Sequence, residues 1–154
     1  MTDTSAASFF STHPVFKDIS PEYLALVSSF ATTQQYASQR RVFEYDKRAD
    51  NFYVVQSGRV AIEVPSVGGE PLTIQTLGEG SVLGWSWLLP PYRWLFDARA
   101  LVTTEVVAVD GERLRAACDQ DPALGYQVLK RFTTLMADRL NAARLTAMRH
   151  YSGT

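Results

Sequence analysis

The chain has 154 residues, 46% hydrophobic and 20% charged, with a formal net charge of −1. This length supports one domain around one core, and the near-zero charge provides no basic field to recruit nucleic acid or an anionic membrane. A lone cysteine, Cys118, excludes an intramolecular disulfide, and no apolar run approaches the roughly 18 residues that span a bilayer.

The chain opens with MTDTSAASFFSTHP, which has an acidic residue at position 3 and no basic region. It lacks the pattern of a secretory signal, so a cytoplasmic, reducing location is expected, with Cys118 a packed thiol and not a nucleophile. Ser20 and Pro21 then predict a helix over about 21–30. Ser suits an N-cap, Pro the first helical position, and Leu24, Leu26, Val27 and Phe30 give an apolar face.

From about 34 to 110 the pattern changes to short strands separated by turns. Phe52 to Val55 and Val60 to Val64 flank Ser57-Gly58, which predicts a hairpin turn with Gly58 at positive φ. Val67 to Glu70 and Gly78-Glu79-Gly80 read as further turns, and Leu72 to Thr76, Ala98 to Val102 and Glu105 to Val109 as strands. Many short strands at this spacing predict an antiparallel roll, sandwich or small barrel. Asp121-Pro122 then starts a helix over about 122–148, with Leu124, Val128, Phe132, Leu135, Met136 and Leu140 at three- and four-residue intervals. Near 40 Å in length, that helix exceeds what a small roll needs as a lid. A second copy packed on the stripe Phe132, Met136 and Leu140 is the simplest cover, so a homodimer is expected. The final HYSGT reads as a fraying tail.

The stretches PVFKDISPEYL at 14–24, VFEYDKRADNFYVVQSGRV at 42–60 and LGEGSVLG at 77–84 resemble cyclic nucleotide-binding domains of the catabolite-activator (Crp/Fnr) type. The resemblance covers about 14–148. It implies a single α+β domain over 1–154: a jelly-roll-like antiparallel β-roll with a short N-terminal helix and a long C-terminal one. Where the family usually has Gly, this chain has Asp46, a residue that tolerates a left-handed turn.

The resemblance also implies where a ligand would sit. Family members that bind cyclic nucleotides carry a Gly-Glu pair, then Arg followed by Ser or Thr. The guanidinium and backbone N–H groups hold the phosphate, and the carboxylate accepts the ribose hydroxyl. Here Gly84 is followed by Trp85, and the phosphate Arg aligns with Trp94 or Leu95. All three tryptophans, Trp85, Trp87 and Trp94, fall in this one segment. The candidate ligand-binding residues are therefore Gly84, Trp85, Ser86, Trp87, Arg93, Trp94 and Leu95.

Three readings stay open for that segment. The tryptophans fill the pocket and leave a ligand-free interaction scaffold, or they stack on a changed apolar or aromatic ligand, or Arg93 keeps a cyclic nucleotide. Arg99 is expected on the opposite face of its strand, paired with Asp97. The function expected is a non-catalytic regulatory or sensor module with a remodelled aromatic pocket, which does not bind cyclic AMP in the usual way. A small-molecule ligand, nucleotide or aromatic, is its expected partner, with no cofactor, no membrane and no DNA bound by the chain alone. A cupin-like metal enzyme is an outsider, because the only histidines, His13 and His150, lie outside the roll. Arg139, Arg144 and Arg149 with Lys130-Arg131 read as a solvated basic face of the last helix.

Overall fold

A computed structural model describes residues 9–65 and 68–152; Val67 of the predicted turn and the end of the C-terminal tail fall outside these limits. Helix α1 spans Pro21–Ser29. Ser20 stands at its N-cap, but its side chain caps nothing. Its hydroxyl accepts from Gln127 Nε2 at 3.2 Å and its N–H donates to Gln127 Oε1 at 3.1 Å. The expected capping residue instead ties the first helix to the last.

Among the described residues eight strands follow: β1 Ala31–Tyr36, β2 Arg41–Phe43, β3 Asn51–Ser57, β4 Val60–Val64, β5 Leu72–Leu77, β6 Val82–Leu83, β7 Asp97–Ala100 and β8 Thr104–Asp110. They form two antiparallel four-stranded sheets, ordered β1-β8-β3-β6 and β2-β7-β4-β5. The roll begins at Ala31, slightly before the expected start. Val54 and Val55 lie opposite Val107 and Val106 at the centre of the first sheet, and all four are buried. Ala98 and Ala100 of β7 and Val60 of β4 line the second sheet's inner face.

The turn at Ser57-Gly58 exists, with Gly58 at φ +107°, but it does not close a hairpin. It carries the chain from β3 in one sheet to β4 in the other. Gly58 is pressed against the Thr104 backbone so closely that a Cβ would overlap it. Asp46, at φ 65°, adopts the left-handed conformation expected of it.

Helix α2, Gly111–Gln120, was not expected from the sequence. Asp110 caps it, its carboxylate accepting from the Arg113 N–H at 3.0 Å. Helix α3 runs Pro122–Ser152, past the predicted end at 148. Asp121 starts it, accepting from the N–H groups of Ala123 and Leu124. Leu124, Val128, Phe132 and Leu135 form its buried stripe. Phe132 is thus not part of an exposed helix face, as the sequence suggested. It packs edge-on against Phe52 at 5.0 Å and Trp87 at 5.1 Å inside its own protomer. Burying a side chain of this size contributes about 1.5–3 kcal/mol. Beyond Leu135 the helix leaves the core, and Leu140 is 72% exposed.

Candidate ligand-binding site

The segment from Gly84 to Phe96 leaves β6, crosses the roll and returns as β7. Its first half goes to the interior. Trp87 is wholly buried, tilted against Phe52 at 5.3 Å and edge-on to Phe132. Arg115 of α2 donates to the Trp87 carbonyl and lays its guanidinium over the Tyr92 ring at 3.9 Å. Among the described residues the indole Nε1 of Trp87 has no hydrogen-bond partner.

The second half is pinned to the loop after β2. The Trp94 N–H donates to Lys47 O at 3.0 Å, Asp46 N–H donates to Trp94 O at 2.9 Å, and Ala49 N–H donates to Tyr92 O at 2.8 Å. The Trp94 ring stacks on Phe43, centroids 3.8 Å apart and planes 10° apart. Its edge lies against Gly84, at φ +90°, where a Cβ would overlap the indole. A glycine is required there both by conformation and by this close approach.

Between this segment and α3 lies a cavity of about 190 Å³. Phe43, Ile62, Ile74, Gly84, Trp85, Trp94, Leu95 and Phe96 supply a mainly apolar wall from the roll, with the polar Gln75 and Ser86 among them; Met136, Arg139, Leu140 and Ala143 close it from α3. Five of the seven candidate residues therefore meet around one space: Gly84, Trp85, Ser86, Trp94 and Leu95. Trp87 and Arg93 do not line it. Trp87 belongs to the core, and Arg93 is exposed, its Nη1 donating to Asp46 O at 2.7 Å.

Arg139 is the residue that the sequence concealed. The last helix read as basic and solvated, yet Arg139 lines the cavity and is only partly exposed. Its Nη2 donates to the carbonyl of Val82, and among the described residues it has no ion-pair partner. Burial pulls its pKa below the usual arginine value. A signal existed. Positions 128, 132, 135 and 139 continue one helical stripe, so an arginine at 139 falls on the buried side.

A second, wider and open cleft of about 680 Å³ shares Phe43 and Trp94 with the cavity and is lined by Arg40, Arg41, Lys47, Arg48 and Arg99, which the sequence did not reveal. Several of its cations are paired: Arg41 with Glu44 at 2.9 Å, Arg48 with Asp50 at 2.7 Å, and Arg99 with Glu63 at 2.7 Å. The expected Arg99–Asp97 pair is absent. Neighbours two apart on a strand are farther from each other than groups on adjacent strands, and Glu63 of β4 offers both carboxylate oxygens to Arg99. Asp97 instead accepts from the Tyr45 N–H at 2.7 Å. The Arg99 hydrogen bonds hold the Glu63 carboxyl below its ordinary pKa of 4.5. Among the described residues no group of three His, Cys, Asp or Glu side chains is placed to hold a metal ion, and no helix is long and apolar enough to cross a membrane.

The sequence family described as "Cyclic nucleotide-binding domain" matches residues 33–121, more than half of the chain. Similar curated proteins include the cyclic AMP receptor protein of Thermus thermophilus, 27% identical over 132 residues, which span 86% of this chain and 59% of that one. The anaerobic regulatory protein of Bacillus subtilis is 25% identical over 129 residues, 82% of this chain and 54% of its own. The chain thus spans somewhat over half the length of these relatives. Among solved structures, a cyclic nucleotide-binding domain from Methylobacillus flagellatus superposes with a TM-score of 0.78 at 16% identity, covering 96% of this chain and 83% of that one. The regulatory subunit of a cAMP-independent protein kinase A from Trypanosoma brucei gives 0.70 at 13% identity, covering 85% and 47%. The chain belongs to the cyclic nucleotide-binding domain family.

Proposed function

We propose that this member of the cyclic nucleotide-binding domain family is a non-catalytic, cytoplasmic sensor module whose pocket takes a small apolar or aromatic molecule instead of a cyclic nucleotide. The supporting observation is the cavity of about 190 Å³ between the tryptophan segment and α3. An apolar cavity of about 150 Å³ is enough to hold benzene, so this one suits a single ring better than a whole nucleotide. At the positions where the resemblance implies a carboxylate and a guanidinium, the wall carries Trp85 and Trp94 or Leu95. That the family fold also occurs in a kinase regulatory subunit described as cAMP-independent agrees with such a change of ligand.

One observation favours the rival, a self-filled scaffold: the Trp94 ring sits on Gly84 and occupies part of the space. Titration with a neutral aromatic such as toluene or benzyl alcohol, followed by intrinsic fluorescence and calorimetry, separates the two. Saturable binding that Trp94→Ala weakens supports the sensor. Absence of any binding supports the scaffold.

The module acts as a homodimer through α3 and has no sequence-specific DNA affinity of its own. Leu129, Thr133, Met136, Leu140, Ala143 and Ala147 recur at alternating four- and three-residue steps beside the buried stripe, the spacing of a helix-pairing seam. Leu129 and Leu140 are 47% and 72% exposed. Met136, Leu140 and Ala143 also line the cavity, so ligand and partner helix would share a wall. Leu140→Asp is expected to give a folded monomer in analytical ultracentrifugation at tens of micromolar. A wild-type monomer at that concentration would refute the dimer.

A further inference from the structure

Within this pocket reading, on which it rests, we infer that the ligand is a monoanion: a small carboxylic acid carrying one aromatic ring, its carboxylate held by Arg139. Among the described residues the cavity wall is apolar except for Gln75, Ser86 and Arg139, and of these Arg139 alone is charged. A guanidinium has five donors in a planar fork. One donor is spent on the Val82 carbonyl, and among the described residues the rest of the fork has no partner. Ser86 is 8% exposed, and its hydroxyl has no hydrogen-bond partner among the described residues either.

A cation removed from water without a counter-charge is costly, and an ionised acceptor that enters with the ligand relieves that cost. A carboxylate matches the fork in two parallel hydrogen bonds, and Ser86 can donate a third. Charge and size both limit the choice. One guanidinium neutralises one negative charge, whereas a phosphate dianion asks for more donors than this wall supplies. The ring then lies among Trp85, Trp94 and Phe96, where stacking needs no particular substituent.

The test uses the whole chain and pairs of near-isosteric probes: benzoate with benzamide, and phenylacetate with phenylacetamide. Binding is followed by tryptophan fluorescence and calorimetry. Each acid is expected to bind about tenfold or more tightly than its amide, as a charge-assisted pair predicts, and Arg139→Gln should abolish that preference while leaving amide binding within about threefold. Arg139→Lys keeps the charge but loses the fork and should keep part of the preference. It also serves if Arg139→Gln fails to fold. Equal binding of acid and amide to the wild-type chain overturns the acid assignment and leaves the apolar pocket standing. Failure of both acids, both amides and toluene at about 10 mM, weaker than any specific site, overturns the pocket itself.

Discussion

The two halves of the tryptophan segment meet the protein in opposite ways. Trp87 and Trp94 are both nearly or wholly buried, at 0% and 4% exposure. Trp87 is enclosed by Phe52, Phe132 and the start of α2, so its burial is core packing. Trp94 instead lines two spaces, an apolar cavity and a basic cleft. Burial alone does not distinguish a core residue from a pocket wall; the neighbours do. The cations follow the same division. On the cleft side, Arg41, Arg48 and Arg99 have carboxylate partners. On the cavity side, Arg139 has a backbone carbonyl and, among the described residues, no carboxylate.

The largest effect that sharpens this contrast is expected at Trp87. Trp87→Ala should cost about 3–5 kcal/mol in urea denaturation, as large aromatic truncations in a core do. Trp87→Phe should cost less than about half of that, because the indole N–H that it removes has no partner to lose. Equal losses in the two variants would mean that Trp87 is held by its N–H and not by packing.

Gly84→Ala comes next. Strain at positive φ and overlap with the Trp94 ring should together cost about 1–3 kcal/mol and shift the tryptophan emission. Wild-type stability and emission in that variant would mean that Trp94 moves freely and does not wall the cavity.

The smallest effect lies on the cleft side and depends on pH. The Glu63 carboxyl has a folded pKa depressed by Arg99, so its contribution to stability is complete above its ordinary pKa of 4.5 and is lost as pH falls through the lower, folded value. Glu63→Gln should therefore lower the urea midpoint near neutrality and make it less sensitive to acid below about pH 4.5. An unchanged acid profile would show that the Glu63–Arg99 pair contributes nothing.

Much of the fold was readable because its signals are local. Gly58, Gly80 and Asp46 mark turns by backbone conformation, and Asp121-Pro122 marks a helix start by a cap. Sheet membership was not readable. The Gly58 turn looks the same locally whether its strands pair or part, and only the contact with Thr104, 46 positions later in the chain, decides. Helix α2 escaped because Gly111 and Leu114 are its only buried residues, too few to show a period. At the site, the segment 84–96 was found from its tryptophan content and its resemblance. Which of its side chains face the cavity was not, since Trp87 and Trp94 differ only in what the rest of the chain brings to them. Arg139 was missed because net charge outweighed its place on the stripe of Phe132 and Leu135.

Calorimetric titration of the whole chain with cyclic AMP at neutral pH and low salt bears most directly on the change of ligand. With no carboxylate at Trp85 and no guanidinium at Trp94 or Leu95, about 3–6 kcal/mol of the usual recognition is missing, and the dissociation constant should be about 1 mM or weaker. A micromolar constant, lost on Arg139→Gln or Arg93→Ala, would contradict the account by showing that another arginine has taken over the phosphate.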